Sequence, residues 1–192
     1  MSARQTTAKA AAPNDQRSST PSSPAKNAYL LAYNALSAAL WASVLYQTIT
    51  IGSHEVANAR KAGVLFGGGK QGVLGDVKRG LSSGKVYGEL EAYTRGVQTV
   101  AGMEVLHSLF GIVRAPLLTT LMQVASRFLL VWGIAHPDMF AASTKHSSAY
   151  ATMLVAWSVT EVIRYSYFVF TLSGLGVPKI WTWLRYVFLL SP

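Results

Sequence analysis

The chain has 192 residues, room for one domain. Hydrophobic residues make up 51% of it and charged ones only 13%, against about 25% charged in a soluble domain, so a membrane protein is favoured before any segment is read. The net charge is +9, and the Lys and Arg outside the apolar segments lie mainly in the N-terminal tail and in 53–95, with no basic helix or aromatic-interleaved ribbon; this gives no nucleic-acid partner, and zero cysteines exclude disulfides, thiolate metal sites and a cysteine nucleophile.

Residues 1–27 are rich in Ser, Ala, Thr and Pro and read as a disordered tail. A transit peptide competes with that reading, since Asp15 is the tail's one acid. Ala28 to Gly52 carries no charge for 25 residues, enough to cross a hydrocarbon core of about 30 Å. Tyr29, Tyr33, Asn34, Trp41 and Tyr46 decorate this first span, with Asn34 placed to bond to another helix. Residues 53–95 read as a flexible Gly- and Lys-rich loop insertion. Its GVLFGGGKQG stretch is not a phosphate-binding loop. Val64 stands where that motif needs Gly, and Gln71 where it needs Ser or Thr.

Three further apolar segments follow: Gly96 to Val113, Ala115 to Ala135, and Ser147 to Leu175. The short connection 114–116 makes the second and third segments an antiparallel pair. Pro137 ends the third segment, 138–147 reads as a short polar loop, and Gly174, Gly176 and Pro178 stop the fourth. Ile180 to Pro192 would reach only about 20 Å as a helix and cannot span alone. It reads as a truncation, a mispredicted splice or a tucked half-helix. The fold class is therefore all-α: a polytopic membrane helix bundle with four full spans and a partial fifth. Orientation is not fixed by the positive-inside rule, because the tail carries four Lys/Arg and 53–95 carries seven.

The apolar segments carry polar stripes. Glu104, His107, Gly111 and Arg114 share one helical face, Thr120, Gln123 and Arg127 repeat the spacing after Pro116, and Trp157, Glu161, Arg164, Tyr165 and Phe168 form a third. An ionisable side chain at a bilayer centre costs about 2.5–3.5 kcal/mol, so these groups are expected to pair or to line a wet cavity. Glu161 can pair with Arg164 in its own helix or with an arginine of the third segment. Ion pairs that merely fix helix register are the competing reading, and Arg114 and Arg185 can snorkel to headgroups. The four histidines lack metal-site spacing, so His107 is read as a hydrogen-bonding partner and no metal is expected. A small proton-coupled transporter would also use such stripes, but the chain shows no inverted repeat.

His107-Ser108-x5-Arg114 resembles the tyrosine phosphatase signature with Ser108 in place of its cysteine. That chemistry needs a thiolate, so phosphatase activity is excluded. The combination of YNALSAALW (33–41), EVLHSLFGIVRAPLLTTLMQVASR (104–127), AWSVTEVIRYSYF (156–168) and PKIWTWLRY (178–186) resembles the protein tyrosine phosphatase-like membrane proteins, the very-long-chain (3R)-3-hydroxyacyl-CoA dehydratases. The resemblance covers 28–190 apart from 53–95. It implies a six-helix enzyme of the endoplasmic reticulum membrane that removes water from a 3-hydroxyacyl-CoA during fatty-acid elongation. It also implies no cofactor, an acyl-CoA substrate, the lipid bilayer and other elongation enzymes as partners. The supporting set it carries over is Glu104, Gly111, Arg114, Gln123, Arg127, Trp157, Glu161, Arg164, Tyr165, Arg185 and Tyr186, to which the stripe adds His107. In the family a Tyr-Pro follows the Leu-Arg-Tyr stretch, with a Glu seven residues after that tyrosine, as the catalytic pair. Here Ser191 precedes Pro192, the spacing is two residues short and the Glu has no counterpart, so no catalytic residue carries over and the 192-residue chain is expected to be inactive. A non-catalytic subunit of the elongation complex is the alternative.

Overall fold

The computed structural model describes residues 23–65, 72–113, 117–136 and 138–189, and these are helical with no strand among them. The helices are α1 (Pro24–Leu65), α2 (Val73–Leu81), α3 (Lys85–Ala101), α4 (Met103–Leu109), α5 (Leu117–Phe128), α6 (Asp138–Lys145), α7 (Ser148–Ser173) and α8 (Lys179–Leu189). A π-helical stretch, Leu129–Ala135, continues α5.

The region 53–95 corrects the loop expected there. Helix α1 runs without a break for 42 residues, about 63 Å at 1.5 Å per residue. Between Gly52 and Leu65 there is no proline, and Ala57, Ala59, Arg60, Lys61 and Ala62 all favour helix. Helix α2 then folds back on α1 through a close approach. A Cβ on Gly80 would lie 2.5 Å from the Val56 Cα, so this crossing requires glycine. Gly84, with φ at +84°, turns the chain into α3. The short polar loop expected at 138–147 is likewise mostly helix α6. Residues 24–27 of the expected tail are the first turn of α1, and residues 1–22 and 66–71 lie outside the described residues.

The second apolar segment is divided at Gly102 into α3 and α4. A Cβ there would sit 3.0 Å from the Thr99 carbonyl oxygen and 3.2 Å from the Phe128 ring. The third segment widens into its π-helical stretch where Leu129 lies over Gly133, and it closes on the His136 N–H donating to Val131 O at 3.1 Å. Helix α7 starts with Ser147, whose hydroxyl accepts from the Ala149 N–H at 3.2 Å. It stops at Gly174 in the left-handed region, φ +73°, where the sequence places the stop. By length and composition α1 is the one helix among the described residues apolar and long enough to cross a bilayer.

The most extensive packing is α1 along α7, with α2 and α3 also against α1. The interior has two apolar clusters. One joins Val86 and Leu90 of α3 to Tyr150, Ala151 and Leu154 of α7 and to Ala135. The other joins Trp41 and Val44 of α1 to Val97 of α3 and Tyr165 of α7, with Trp157 packed against it. Asn34, expected to reach another helix, instead donates to Leu30 O in its own, at 2.6 Å.

Candidate functional site

Helices α4, α5 and α7 bring four charged side chains together beside the second apolar cluster, and Arg164 is their hub. Its Nη1 and Nη2 donate to Glu104 Oε2 and Oε1 at 2.8 and 2.7 Å, a bidentate fork of the kind that only guanidinium makes with carboxylate. Its Nε and Nη2 donate to Glu161 Oε2, one turn earlier on α7, at 2.9 and 2.6 Å. The other Glu161 oxygen pairs with Nη1 of Arg127 on α5. Both pairings open to Glu161 in the sequence are therefore made at once. The Tyr165 hydroxyl donates to Glu104 Oε1, and the Arg164 guanidinium carbon lies 4.3 Å from the Tyr165 ring centroid.

Two carboxylates and two guanidiniums leave this group electrically neutral. The Glu161 side chain is only 3% exposed, and both its oxygens are paired, as burial of a carboxylate requires. Every carboxylate oxygen in the cluster has a partner, which makes it a rigid support rather than a free proton acceptor. The break at Gly102 matters here, because it redirects the chain between α3 and α4 and so sets where Glu104 faces α7.

Helix α1 completes the site with two side chains that sequence reasoning treated as decoration of a span. The Tyr29 hydroxyl shares a hydrogen bond with His107 Nε2 at 2.8 Å, and the Tyr33 ring meets the buried His107 ring edge-on at 4.8 Å. Tyr33 also lies edge-on to Tyr165 at 6.2 Å, and its hydroxyl donates to Val100 O at 3.3 Å. The available signal was the spacing of Tyr29 and Tyr33, one turn apart on one helical face.

Of the residues expected at the site, Glu104, His107, Arg127, Glu161, Arg164 and Tyr165 come together, with Trp157 packed against the apolar cluster that includes Tyr165. Gln123 does not join them. On α5 it is Val124 that turns inward, while Gln123 is exposed. Tyr186 on α8 is 64% exposed and also stands apart. Gly111 is not on a helical stripe. Helix α4 ends at Leu109, Gly111 takes φ +66°, and the Val113 N–H turns back to His107 O at 3.1 Å. Arg114 and the Arg185 side chain lie outside the described residues.

An apolar groove of about 320 Å³ lies elsewhere, between α1, α2 and α7, lined by Ile49, Val56, Val77, Leu81, Ala151 and Val155. Ile49 is about 24 Å along α1 from Tyr33, so the groove is not part of this cluster.

A family model described as "Protein tyrosine phosphatase-like protein, PTPLA" matches residues 98–190. The chain is 39% identical to a "Probable very-long-chain (3R)-3-hydroxyacyl-CoA dehydratase" of Schizosaccharomyces pombe, over 82% of this chain and 62% of that protein. It is 35% identical to the Caenorhabditis elegans dehydratase hpo-8, over 82% of this chain and 60% of the relative. With the Arabidopsis thaliana dehydratase PASTICCINO 2 it shares 34% identity, over 84% of this chain and 60% of the relative. The chain thus spans about three-fifths of the length of the curated relatives it matches. No solved structure matches it significantly. Residues 98–190 are thus similar to the PTPLA family, and the chain resembles the very-long-chain (3R)-3-hydroxyacyl-CoA dehydratases over 82% of its length.

Proposed function

We propose that this chain serves the dehydration of very-long-chain (3R)-3-hydroxyacyl-CoA to trans-2-enoyl-CoA in fatty-acid elongation, as a multi-pass protein of the endoplasmic reticulum membrane. The observation that carries the reading is the Arg164-centred cluster, which is assembled from the stretches that match the PTPLA family and the dehydratases. Elimination of water requires a base to take the C2 proton while the C3–O bond breaks, and an acid to protonate the departing hydroxyl. The paired carboxylates of Glu104 and Glu161 are already committed to Arg127, Arg164 and Tyr165. Their role is to lock α4, α5 and α7 at fixed spacing, so that the polar end of an acyl-CoA meets a rigid, partly exposed guanidinium surface. His107, hydrogen-bonded to Tyr29 and covered by Tyr33, closes the α1 side of the same site.

The catalytic pair that the family resemblance implies has no match within residues 1–192. The test therefore has two arms. In the first, residues 28–189 replace the matching part of the Schizosaccharomyces pombe relative, and conversion of a long-chain (3R)-3-hydroxyacyl-CoA to enoyl-CoA is measured in detergent. Turnover near that of the intact relative is expected, with loss on Arg164→Met, and an inactive but folded chimera would overturn the proposal. In the second arm the 192-residue chain alone gives no turnover above background. Clear turnover there would move the acid/base role onto Glu104, Glu161 or Tyr165.

A second reading is a non-catalytic subunit of the elongation machinery. Helix α5 presents Leu118, Leu121 and Met122 outward, an apolar face open to the bilayer or to a partner. Co-purification with elongation enzymes, together with an inactive chimera, would select this reading. The polytopic arrangement is tested by glycosylation-site insertion at both ends of α7.

A further inference from the structure

Midway along the bundle, the inward faces of α1, α3 and α7 carry polar side chains among apolar ones. Gln98 and Ser158 are 0% exposed, and neither the Gln98 amide oxygen and nitrogen nor the Ser158 hydroxyl has a hydrogen-bond partner in the protein. Thr94, one turn before Gln98 on the same face of α3, is 1% exposed, and Ser37 on α1 is 3% exposed. Their hydroxyls approach those of Tyr150 and Tyr33 respectively, yet make no hydrogen bond of normal geometry.

Leucine or alanine at these positions would pack at lower cost, because a buried polar group without a partner loses its hydration and regains nothing. Native interiors satisfy nearly all such groups, and small internal ligands account for much of the remainder. The surroundings limit what that ligand can be. Gln98 and Ser158 adjoin Val97 and Trp157, members of the packed cluster around Trp41 and Tyr165, so an acyl-CoA headgroup is too large. Water fits. It is small, and it needs two to four polar partners. Gln98 offers two N–H donors and a carbonyl, and Ser158 offers a donor and an acceptor.

We propose that Gln98 and Ser158, flanked by Thr94 and Ser37, bind internal water between α1, α3 and α7, forming a hydrated track that begins at Tyr33 beside the Arg164 cluster and runs towards Tyr150. The bound water stands independently of the proposed dehydration. That the same track carries away the water released in the reaction rests on that proposal.

The test uses the purified 192-residue chain in detergent. X-ray radiolysis in ¹⁸O-labelled water generates hydroxyl radicals from water held inside a protein. Trp41 and Tyr165, each only 1% exposed, are expected to gain ¹⁸O label in the wild type and to lose it in Gln98→Leu. Thermal melting supplies a second readout of opposite sign for the two cases. With water bridging the groups, Gln98→Leu and Ser158→Ala each lower Tm by about 3 °C, and the double variant falls by less than the sum. Unlabelled Trp41 and Tyr165 in the wild type would overturn the proposal, and so would a rise in Tm in both single variants. The labelling arm needs only the wild type, so it decides between the outcomes even where a variant fails to fold.

Discussion

Two clusters of charged side chains tie α3 and α4 to their neighbours, and their surroundings set them apart. Around Arg164 the pairs are short, bidentate and shared among three helices, and Glu161 is only 3% exposed. Around Arg95 the guanidinium meets the His136 ring at 2.6 Å, but the contacts to the carboxylate are longer. Arg95 Nε is 3.6 Å from Glu91 Oε1 on its own helix, and His136 Nδ1 is 3.3 Å from the same oxygen with its side chain 45% exposed. The Arg95 guanidinium also lies 5.0 Å from the Trp132 ring centroid. Both groups pair opposite charges across the third apolar segment, and Arg95 and Glu91, 21% and 13% exposed, are no more open to solvent than Arg164 and Glu104, 30% and 20% exposed; the first group differs in the near-complete burial of Glu161 and in its short bonds. Pairing alone therefore does not identify a structural keystone; short pairing with every carboxylate oxygen used does.

The sharpest way to break this contrast is Arg164→Met. It leaves Glu104 without its fork and Glu161 with Arg127 alone, and removing one partner of a buried ion pair costs about 3–5 kcal/mol. The expected outcome is a large fall in Tm in detergent, or failure to fold. Arg127→Ala should cost less, about 1.5–3 kcal/mol, because Glu161 keeps two bonds from Arg164. A double-mutant cycle between Arg127→Ala and Glu161→Gln should show strong coupling, since the two share one contact. Tyr165→Phe keeps the buried ring and removes one hydroxyl bond to Glu104, so about 1 kcal/mol is expected. If thermal melting ranks these three variants in a different order, Arg164 is not the hub.

How far the sequence anticipated this depends on range. Helical periodicity placed Glu161, Arg164 and Tyr165 on one face, and the ban on isolated charges in apolar segments required partners for them. Both inferences follow from local spacing and burial cost. The partner Arg127 was legible as a class, an arginine of the third segment, because few cations were available there. Gln123 was misplaced because a stripe at i+3 does not say which flank of a helix turns inward, and Val124 took the inward position. The region 53–95 was misread for another reason. Glycine was taken as a loop signal, whereas Gly80 serves close helix packing and Gly63 lies within α1. The contribution of α1 through Tyr29 and Tyr33 depends on tertiary contact with His107, and nothing in the spacing of α1 alone specifies that neighbour.

The smallest effect completes the contrast. Glu91→Gln removes the negative charge shared by Arg95 and His136. Arg95 keeps its contact with the Trp132 ring, and the Trp132 indole N–H still donates to the Thr99 hydroxyl at 3.3 Å. Pairs stretched to 3.3–3.6 Å, one of them to a 45% exposed His136, are worth about 0–1 kcal/mol and weaken with salt. The expected shift in Tm is therefore slight at low ionic strength and vanishes at about 1 M salt, where screening acts within about 3 Å. The deficit of Arg164→Met should persist under the same conditions, because it strips partners from Glu161, which at 3% exposed is shielded from mobile ions by protein. If Glu91→Gln proved as costly as Arg164→Met, with no salt dependence, the Arg95 group would have to be counted as desolvated, and the distinction between the two clusters would fail.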